Sequence, residues 1–431
     1  MHNQIDETLH DLELRLLDIK ANLTELDADE QFALLTAHAK HVVQPELLRK
    51  RLVRSKTANI PLKVKYGIDP TGKDMHLGHI VPIILARRFQ QMGHKVQLVF
   101  GDFTAFVGDP TGRVSTRPIL TPEEIEANVS EYTEQVSRFI DISKVEIVYN
   151  STFYKDMPIL ELFRLYRTNR LSPLLQRDDF KARMEGLTIA EALYPTLMAI
   201  DSLNMKPDVE LGGNDQLLNF EITVEFMRSQ GLEPESAITT ELLLGTTGDG
   251  SKMSKSKSNF ISLRDSAEDV FGKVMSLPDS LLSHYFSLLT DLTEVEWVQI
   301  DSWMKSGDLN PMELKKLLGR VLVTLIHGSL ASTKAQAHFE SVFSSGKLPD
   351  DLPEFNLSMR QETEAWLHVL LEIGFVKSKR EGREFISAGA LKVLDQSGKW
   401  NQVTDLNTQL PKGIEVVIKL GKRKFAKIIF K

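Results

Sequence analysis

The 431-residue sequence predicts an α/β protein, in which a parallel sheet with helices on its faces leads into a helical region and then a small α+β tail. Three observations carry this prediction. Strand-like and helix-like segments alternate from Leu62 to about residue 264. From about 265 to 345 the strand signals fade and apolar residues recur at helical spacing. The tail then reads as two amphipathic helices followed by short strands. The resulting division is an N-terminal helical segment (1–60), the α/β domain (61–264), a helical domain (265–345), a linker (346–358) and a terminal domain (359–431). A chain of this length is too long for one ordinary core.

Ile5, Leu9, Leu12, Leu16 and Ile19 predict that residues 1–50 are helical. Val64, Tyr66 and Ile68 suggest a strand that ends in the turn Asp69-Pro70-Thr71-Gly72. His76 to Gly78 then opens a helix whose apolar face includes Ile80, Ile83, Ile84 and Phe89. Val96–Phe100, Val145–Tyr149 and Val209–Leu211 continue the strands, and a helix follows Gln216. Ligands of such sheets bind beyond the carboxyl ends of the strands. The Asp69 turn and the Gly212-Gly213 turn both fall there. Phe271, Val274, Leu281, Tyr285, Leu317, Val321 and Leu325 mark the helical region, and Ser344–Pro353 has linker composition. Helices around Trp366–Ile373 and Arg380–Ile386 and strands at Ile414–Leu420 and Phe425–Phe430 complete the chain.

Hydrophobic residues at 42% and charged residues at 26% fit a soluble globular protein. No apolar run approaches the roughly 20 residues that cross a bilayer. The start, Met1-His2-Asn3-Gln4-Ile5-Asp6-Glu7, lacks the basic and apolar regions of a signal peptide. With no cysteine, disulfides and thiolate metal sites are excluded. The cytoplasm is the expected compartment, without a membrane partner. The net charge of −7 is unevenly spread. Val376–Lys431 carries thirteen Lys and Arg against five acids, so this tail is +8 and the remainder −15. A basic tail on an acidic body suits contact with a phosphate backbone, although a solvated Lys-rich terminus has the same composition.

Two strings carry most of the chemistry. In His76-Leu77-Gly78-His79, a helix N-terminus offers unpaired N–H groups and partial positive charge to phosphate. Both imidazoles are placed to donate there, Gly78 removes a side chain where a nucleotide comes close, and Thr71 adds a hydroxyl. A purely capping His pair, or two metal ligands at i and i+3, are the rival readings; no third ligand is evident for a metal. Lys252-Met253-Ser254-Lys255-Ser256 begins 173 positions after His79 and follows the flexible Thr246–Gly250. Two lysines on a mobile segment can close over a triphosphate and stabilise charge that develops on a leaving pyrophosphate. A surface Lys/Ser loop is the plain alternative. A P-loop is rejected because Ser251 stands where that motif needs lysine.

In this order the two strings resemble the signatures of class I aminoacyl-tRNA synthetases. Gly67–Thr71, Gly101–Thr104, Val107–Gly112 and Asp208–Gln216 narrow the resemblance to bacterial tyrosyl-tRNA synthetases, continuously from about Leu62 to Leu289. The tail from about Gln361 resembles an S4-type RNA-binding domain. The resemblance implies a Rossmann-like catalytic domain, with ATP as substrate, Mg2+ accompanying it and no tightly bound cofactor. It implies tyrosine and tRNA(Tyr) as partners, and a homodimer spanned by tRNA. Gly67, Asp69, Gly78 and His79 would line the adenylate pocket, and Thr71 and His76 would hold the γ-phosphate. Gly213, Asp215 and Gln216 would receive the ribose and the amino-acid carboxylate. Lys252 and Lys255, with Arg113, would grip the pyrophosphate. Asp109 and Tyr194 would hold the α-ammonium, Asn150 would sit on the rim of the amino-acid site, and Asp201 would accept from the phenol hydroxyl. A buried acceptor built for a hydroxyl rejects phenylalanine because an unpaired buried carboxylate is costly, and this family is itself the standard example.

The chain departs from the family at four places. Met198 stands where glutamine helps hold the ammonium, and thioether sulfur is only a weak acceptor. Ile200 replaces a tyrosine, and Ala105 a glycine. Lys65 occupies a position that is tyrosine in another branch, leaving Asp201 alone to meet the hydroxyl. All four are expected to cluster around the amino-acid site. Three readings stay open at this point: a tyrosine–tRNA ligase with rearranged contacts, an enzyme for a modified tyrosine or another amino acid, or a paralogue in which aminoacylation is lost or redirected. The last includes adenylation for a non-tRNA acceptor and a non-catalytic RNA-binding scaffold.

Overall fold

The structure is a computed structural model that describes residues 2–71, 74–107, 121–170, 172, 181, 184–186, 188–343, 352–357, 365–376, 378–395, 400–408, 410, 415–421 and 424–430. It forms two compact units, Met1–Gln336 and Ala337–Lys431.

The first unit is built on a six-stranded sheet in the order β1-β6-β5-β2-β3-β4. Its strands are β1 (Ala39–Val43), β2 (Lys63–Ile68), β3 (Lys95–Phe100), β4 (Val145–Tyr149), β5 (Val209–Gly213) and β6 (Ser236–Thr240). All neighbours run parallel except the edge pair β1 and β6. Val64, Leu98, Val99, Val209 and Leu211 are buried in the sheet, as expected of strands covered on both faces. Two strands differ from the sequence reading. β1 interrupts the N-terminal region expected to be helical, because its Ala-Lys-His-Val-Val run pairs antiparallel with β6. β6 itself, Ser-Ala-Ile-Thr-Thr, is too polar to signal a buried strand, yet every residue in it is buried.

β2 lies between β3 and β5, so the chain winds outward from it in both directions. This places the topological switch point, and hence the crevice, at the carboxyl ends of β2 and β5. The helix Leu77–Gln91 begins there, and Ile80, Ile83, Ile84 and Phe89 are buried as its spacing predicts. Its last turn is pinned by an ion pair: Arg87 Nη2 and Arg88 Nε each donate to the Asp291 carboxylate at 2.7 Å. From Ala267 to Phe343 the chain is helical, with Phe271, Leu317, Leu318 and Val321 packed inside.

The second unit contains helices Ala365–Glu372 and Lys379–Ser387 and a sheet in the order β7-β11-β10-β8-β9. The strands are β7 (Glu354–Leu357), β8 (Leu391–Leu394), β9 (Trp400–Val403), β10 (Glu415–Leu420) and β11 (Lys424–Phe430). Trp366, Leu370, Ile386, Leu391, Ile418 and Ile428 form its core. β7 falls inside the segment read as linker; it pairs in parallel with β11, which the Pro-rich composition around it conceals. Most of the remaining linker lies outside the described residues.

Candidate active site

The carboxyl ends of β2 and β5 open into a cavity of about 730 Å³. Its walls bring together Gly67, Asp69 and Thr71 at the end of β2 and just beyond it, His76, Gly78 and His79 at the helix start, and Gly213, Asp215 and Gln216 at the end of β5 and just beyond it. Lys252, Met253, Ser254 and Ser256 of the second signature line the same cavity, as do Tyr194, Met198 and Asp201. Asp109 and Arg113 lie outside the described residues. Lys255 and Asn150 are not part of the lining among the described residues.

The two histidines cap the start of the helix Leu77–Gln91, His76 from just before it and His79 from its first turn. Gly78 N–H donates to His76 Nδ1 at 3.2 Å, and His76 N–H donates to His79 Nδ1 at 3.1 Å, a reciprocal box built from two imidazoles. An accepting Nδ1 puts the ring proton on Nε2, so each ring keeps an Nε2–H donor. Burial, the neighbouring His79 and the lysines Lys255 and Lys252 lower the His76 pKa to about 2. Burial and Lys255 lower that of His79 to about 4. Both rings are therefore neutral donors at physiological pH. The capping alternative and the phosphate-binding reading thus use different atoms of the same rings, Nδ1 for the cap and Nε2 for an anion.

The second signature is anchored at both ends. Tyr285 hydroxyl donates to Leu244 carbonyl at 2.8 Å, and Leu244 N–H donates to His284 Nε2 at 3.1 Å. Buried Asn259 holds the loop from within: its Oδ1 accepts from Ser254 N–H at 2.8 Å and its Nδ2 donates to Ser251 Oγ at 3.0 Å. Downstream, Leu77 N–H donates to Ile261 carbonyl and Leu263 N–H to Met75 carbonyl, which stitches the loop's exit onto the start of the first signature. Lys252 Nζ reaches Asp215 Oδ2 at 3.4 Å, and both residues line the cavity.

Asp69 is fixed by two hydroxyls, Thr104 Oγ1 at 2.8 Å and Tyr194 at 2.9 Å. A Cβ at Gly101 would lie 2.1 Å from Asp69 Oδ1, so this position admits only glycine. A Cβ at Gly67 would meet nothing within 4 Å and would instead project into open space. Asn219 Nδ2 donates to Gln216 Oε1 at 2.7 Å and orients that amide.

Asp201 is buried on the helix Ile189–Met205. Its Oδ1 accepts from Tyr154 hydroxyl at 2.8 Å and its Oδ2 from Asn150 Nδ2 at 3.1 Å. Burial raises its pKa to about 6 against the opposing pull of Lys65, Asn150 and Tyr154. Asn150, expected on the rim, is instead fully buried behind the wall, where it also bonds Thr104. Of the four departures from the family pattern, Lys65 and Met198 face the cavity. Ile200 does not; it packs with Tyr154, Leu165, Leu197, Ala199 and Phe226. Ala105 is likewise buried away from the lining. Sequence reasoning missed Tyr154, Asn259 and the partners of Lys65, since each acts through a fold contact that no local pattern announces.

The model of class I tRNA synthetases for tryptophan and tyrosine matches residues 56–344. The chain therefore belongs to the class I aminoacyl-tRNA synthetases of that family. Its relatives include the tyrosine–tRNA ligase of Geobacter metallireducens, 38% identical over 405 residues, covering 93% of this chain and 99% of the relative. That of Aquifex aeolicus is 37% identical over 404 residues, with the same coverage of both chains. Among solved structures, the fold resembles the tyrosyl-tRNA synthetase of Archaeoglobus fulgidus complexed with L-tyrosine. The TM-score is 0.59 at 24% identity, covering 72% of this chain and 99% of that one.

Proposed function

We propose that the chain is a tyrosine–tRNA ligase that activates tyrosine with ATP and transfers it to tRNA(Tyr). The observation that carries this reading is the convergence of both signature segments and the Gly213–Gln216 turn on one cavity. ATP enters with its Mg2+ as substrate. Its phosphates meet the Nε2–H donors of His76 and His79 and the Thr71 hydroxyl. Asp215 accepts from the ribose, and Gly67 leaves room for the nucleotide. Gly213 and Gln216 receive the ribose and amino-acid carboxylate, Tyr194 helps hold the ammonium, and Asp201 accepts from the phenol. Asp109 and Arg113 keep the roles that the family resemblance gives them.

In the first step the tyrosine carboxylate attacks the α-phosphorus in line, and the bond to pyrophosphate breaks. Lys252 and Lys255 take up the charge that appears on the leaving group. In the second step the terminal ribose hydroxyl of tRNA attacks the adenylate carbonyl and AMP leaves. No side chain forms a covalent intermediate; catalysis is positioning plus electrostatic stabilisation.

The terminal unit is proposed to be an S4-like RNA-binding domain, supported by exposed Lys379, Arg380 and Arg383 along one helix. The chain is proposed to act as a homodimer. Ile159, Leu160 and Phe163 are 73%, 80% and 61% exposed on the helix Ile159–Tyr166, an apolar face that a second copy would cover. The cytoplasm is the proposed compartment, where a tRNA partner resides. ATP–pyrophosphate exchange with each amino acid, followed by charging of tRNA(Tyr), tests the reading. Exchange that requires tyrosine and is followed by charging supports it; exchange without charging would point to a different acceptor.

A further inference from the structure

Lys65 is the least expected group in the amino-acid pocket: a lysine 2% exposed, in the middle of a parallel sheet, lining the cavity. It sits directly beside Glu210 in the register of β2 and β5, and Lys65 Nζ and Glu210 Oε1 are 2.7 Å apart. Behind this pair lies buried Glu235. Burial and the adjoining Glu210 raise the Glu235 pKa well above its ordinary value. Burial alone would lower the Lys65 pKa, but Glu210, Glu235 and Asp201 outweigh it and the group stays cationic.

An ammonium has three protons. One is donated to Glu210 and one to Ser202 Oγ at 2.8 Å. Among the described residues, the third has only Met198 carbonyl at 3.4 Å, beyond a good hydrogen bond. Asp201, facing the same cavity and electrostatically coupled to Lys65, accepts one bond at each oxygen and retains lone pairs. The floor thus presents a cationic donor beside an anionic acceptor. A hydroxyl, which donates once and accepts at its lone pairs, satisfies both.

We propose that Lys65 is a specificity-determining residue that donates to the phenol oxygen of the bound tyrosine while Asp201 accepts the phenol proton. This rests on the tyrosine-activating reading above and refines it: the hydroxyl is read from both sides. Glu210 is a positioning residue that holds the ammonium in place.

The test is ATP–pyrophosphate exchange by the full chain with tyrosine, phenylalanine and 4-aminophenylalanine. The para-amine donates to Asp201 but accepts poorly, so the unaltered chain should use it at least ~10-fold less efficiently than tyrosine. Equal kcat/KM for the two would overturn the proposal. In Lys65→Met, and in Lys65→Met/Glu210→Gln where no charge is left unpaired in the pair, the tyrosine-over-phenylalanine ratio of kcat/KM should contract by roughly 10–100-fold, the worth of one hydrogen bond to a charged group. A ratio that stays constant while both substrates decline together would reduce Lys65 to a packing role and overturn the proposal. If Lys65→Met does not fold, the double variant and the unaltered chain with 4-aminophenylalanine still decide. Exchange supported by another amino acid and not by tyrosine would overturn the activity itself, and this contact with it.

Discussion

Single residues in this protein are set by neighbours that fix their protons as well as their positions. His76 and His79 accept at Nδ1 to close a helix cap, and that choice leaves Nε2–H as the group available to an anion. Because burial and nearby cations lower their pKa values to about 2 and about 4, kcat/KM for ATP should show no imidazole inflection near pH 6.5. A pH profile measured with tyrosine saturating checks this. With ATP saturating, kcat/KM for tyrosine should instead fall as pH drops through about 6, where Asp201 gains a proton and loses acceptor capacity. The same histidines make folding pH-dependent. Their unfolded forms bind protons that their folded forms refuse, so stability declines as pH falls from about 6.5 towards 4. Lys252→Ala should slow adenylate formation by roughly 100-fold while tyrosine affinity changes little, as measured by single-turnover kinetics and equilibrium binding. An equal loss in both would contradict a role confined to the transition state.

Helices, strands and loops were legible to different degrees. The helix Leu77–Gln91 and strands β2 to β4 follow from local periodicity, and the placement of both signatures at strand or helix ends follows with them. The second layer of the site does not. Lys65 meets Glu210 only because β2 and β5 pair at that register, 145 residues apart in the chain. Tyr154 meets Asp201 across two helices, and Ile200 turns away from the cavity because a residue preceding Asp201 on a helix lies on another face. Such contacts are tertiary facts with no signature in a single sequence. The junction between Leu77–Gln91 and the helical region is another. Burial would raise the Asp291 pKa, but Arg87 and Arg88 hold it at about 2. Asp291→Ala leaves two buried guanidinium groups without their carboxylate and should cost about 3–5 kcal/mol, read from denaturant melts. The lowered pKa means that this ion pair contributes fully above pH 3.8 and is lost as pH falls towards 2.

At the scale of the whole molecule, the family assignment and the convergence of its signatures agree with what the sequence alone predicts. The relation between copies is a further matter. Phe163→Glu places a charge in the exposed apolar face of Ile159–Tyr166 and should convert the proposed dimer to a monomer in sedimentation equilibrium, with tRNA charging reduced more than pyrophosphate exchange, because tRNA is proposed to span two copies. The stitching of Met75–Leu77 to Ile261–Leu263 has its own bearing on engineering. Grafting the lysine-bearing flap from another synthetase would transplant one side of a seam whose other side belongs to the start of the first signature. A successful chimera must therefore exchange Met75–Leu77 and Ile261–Leu263 together, as one cassette.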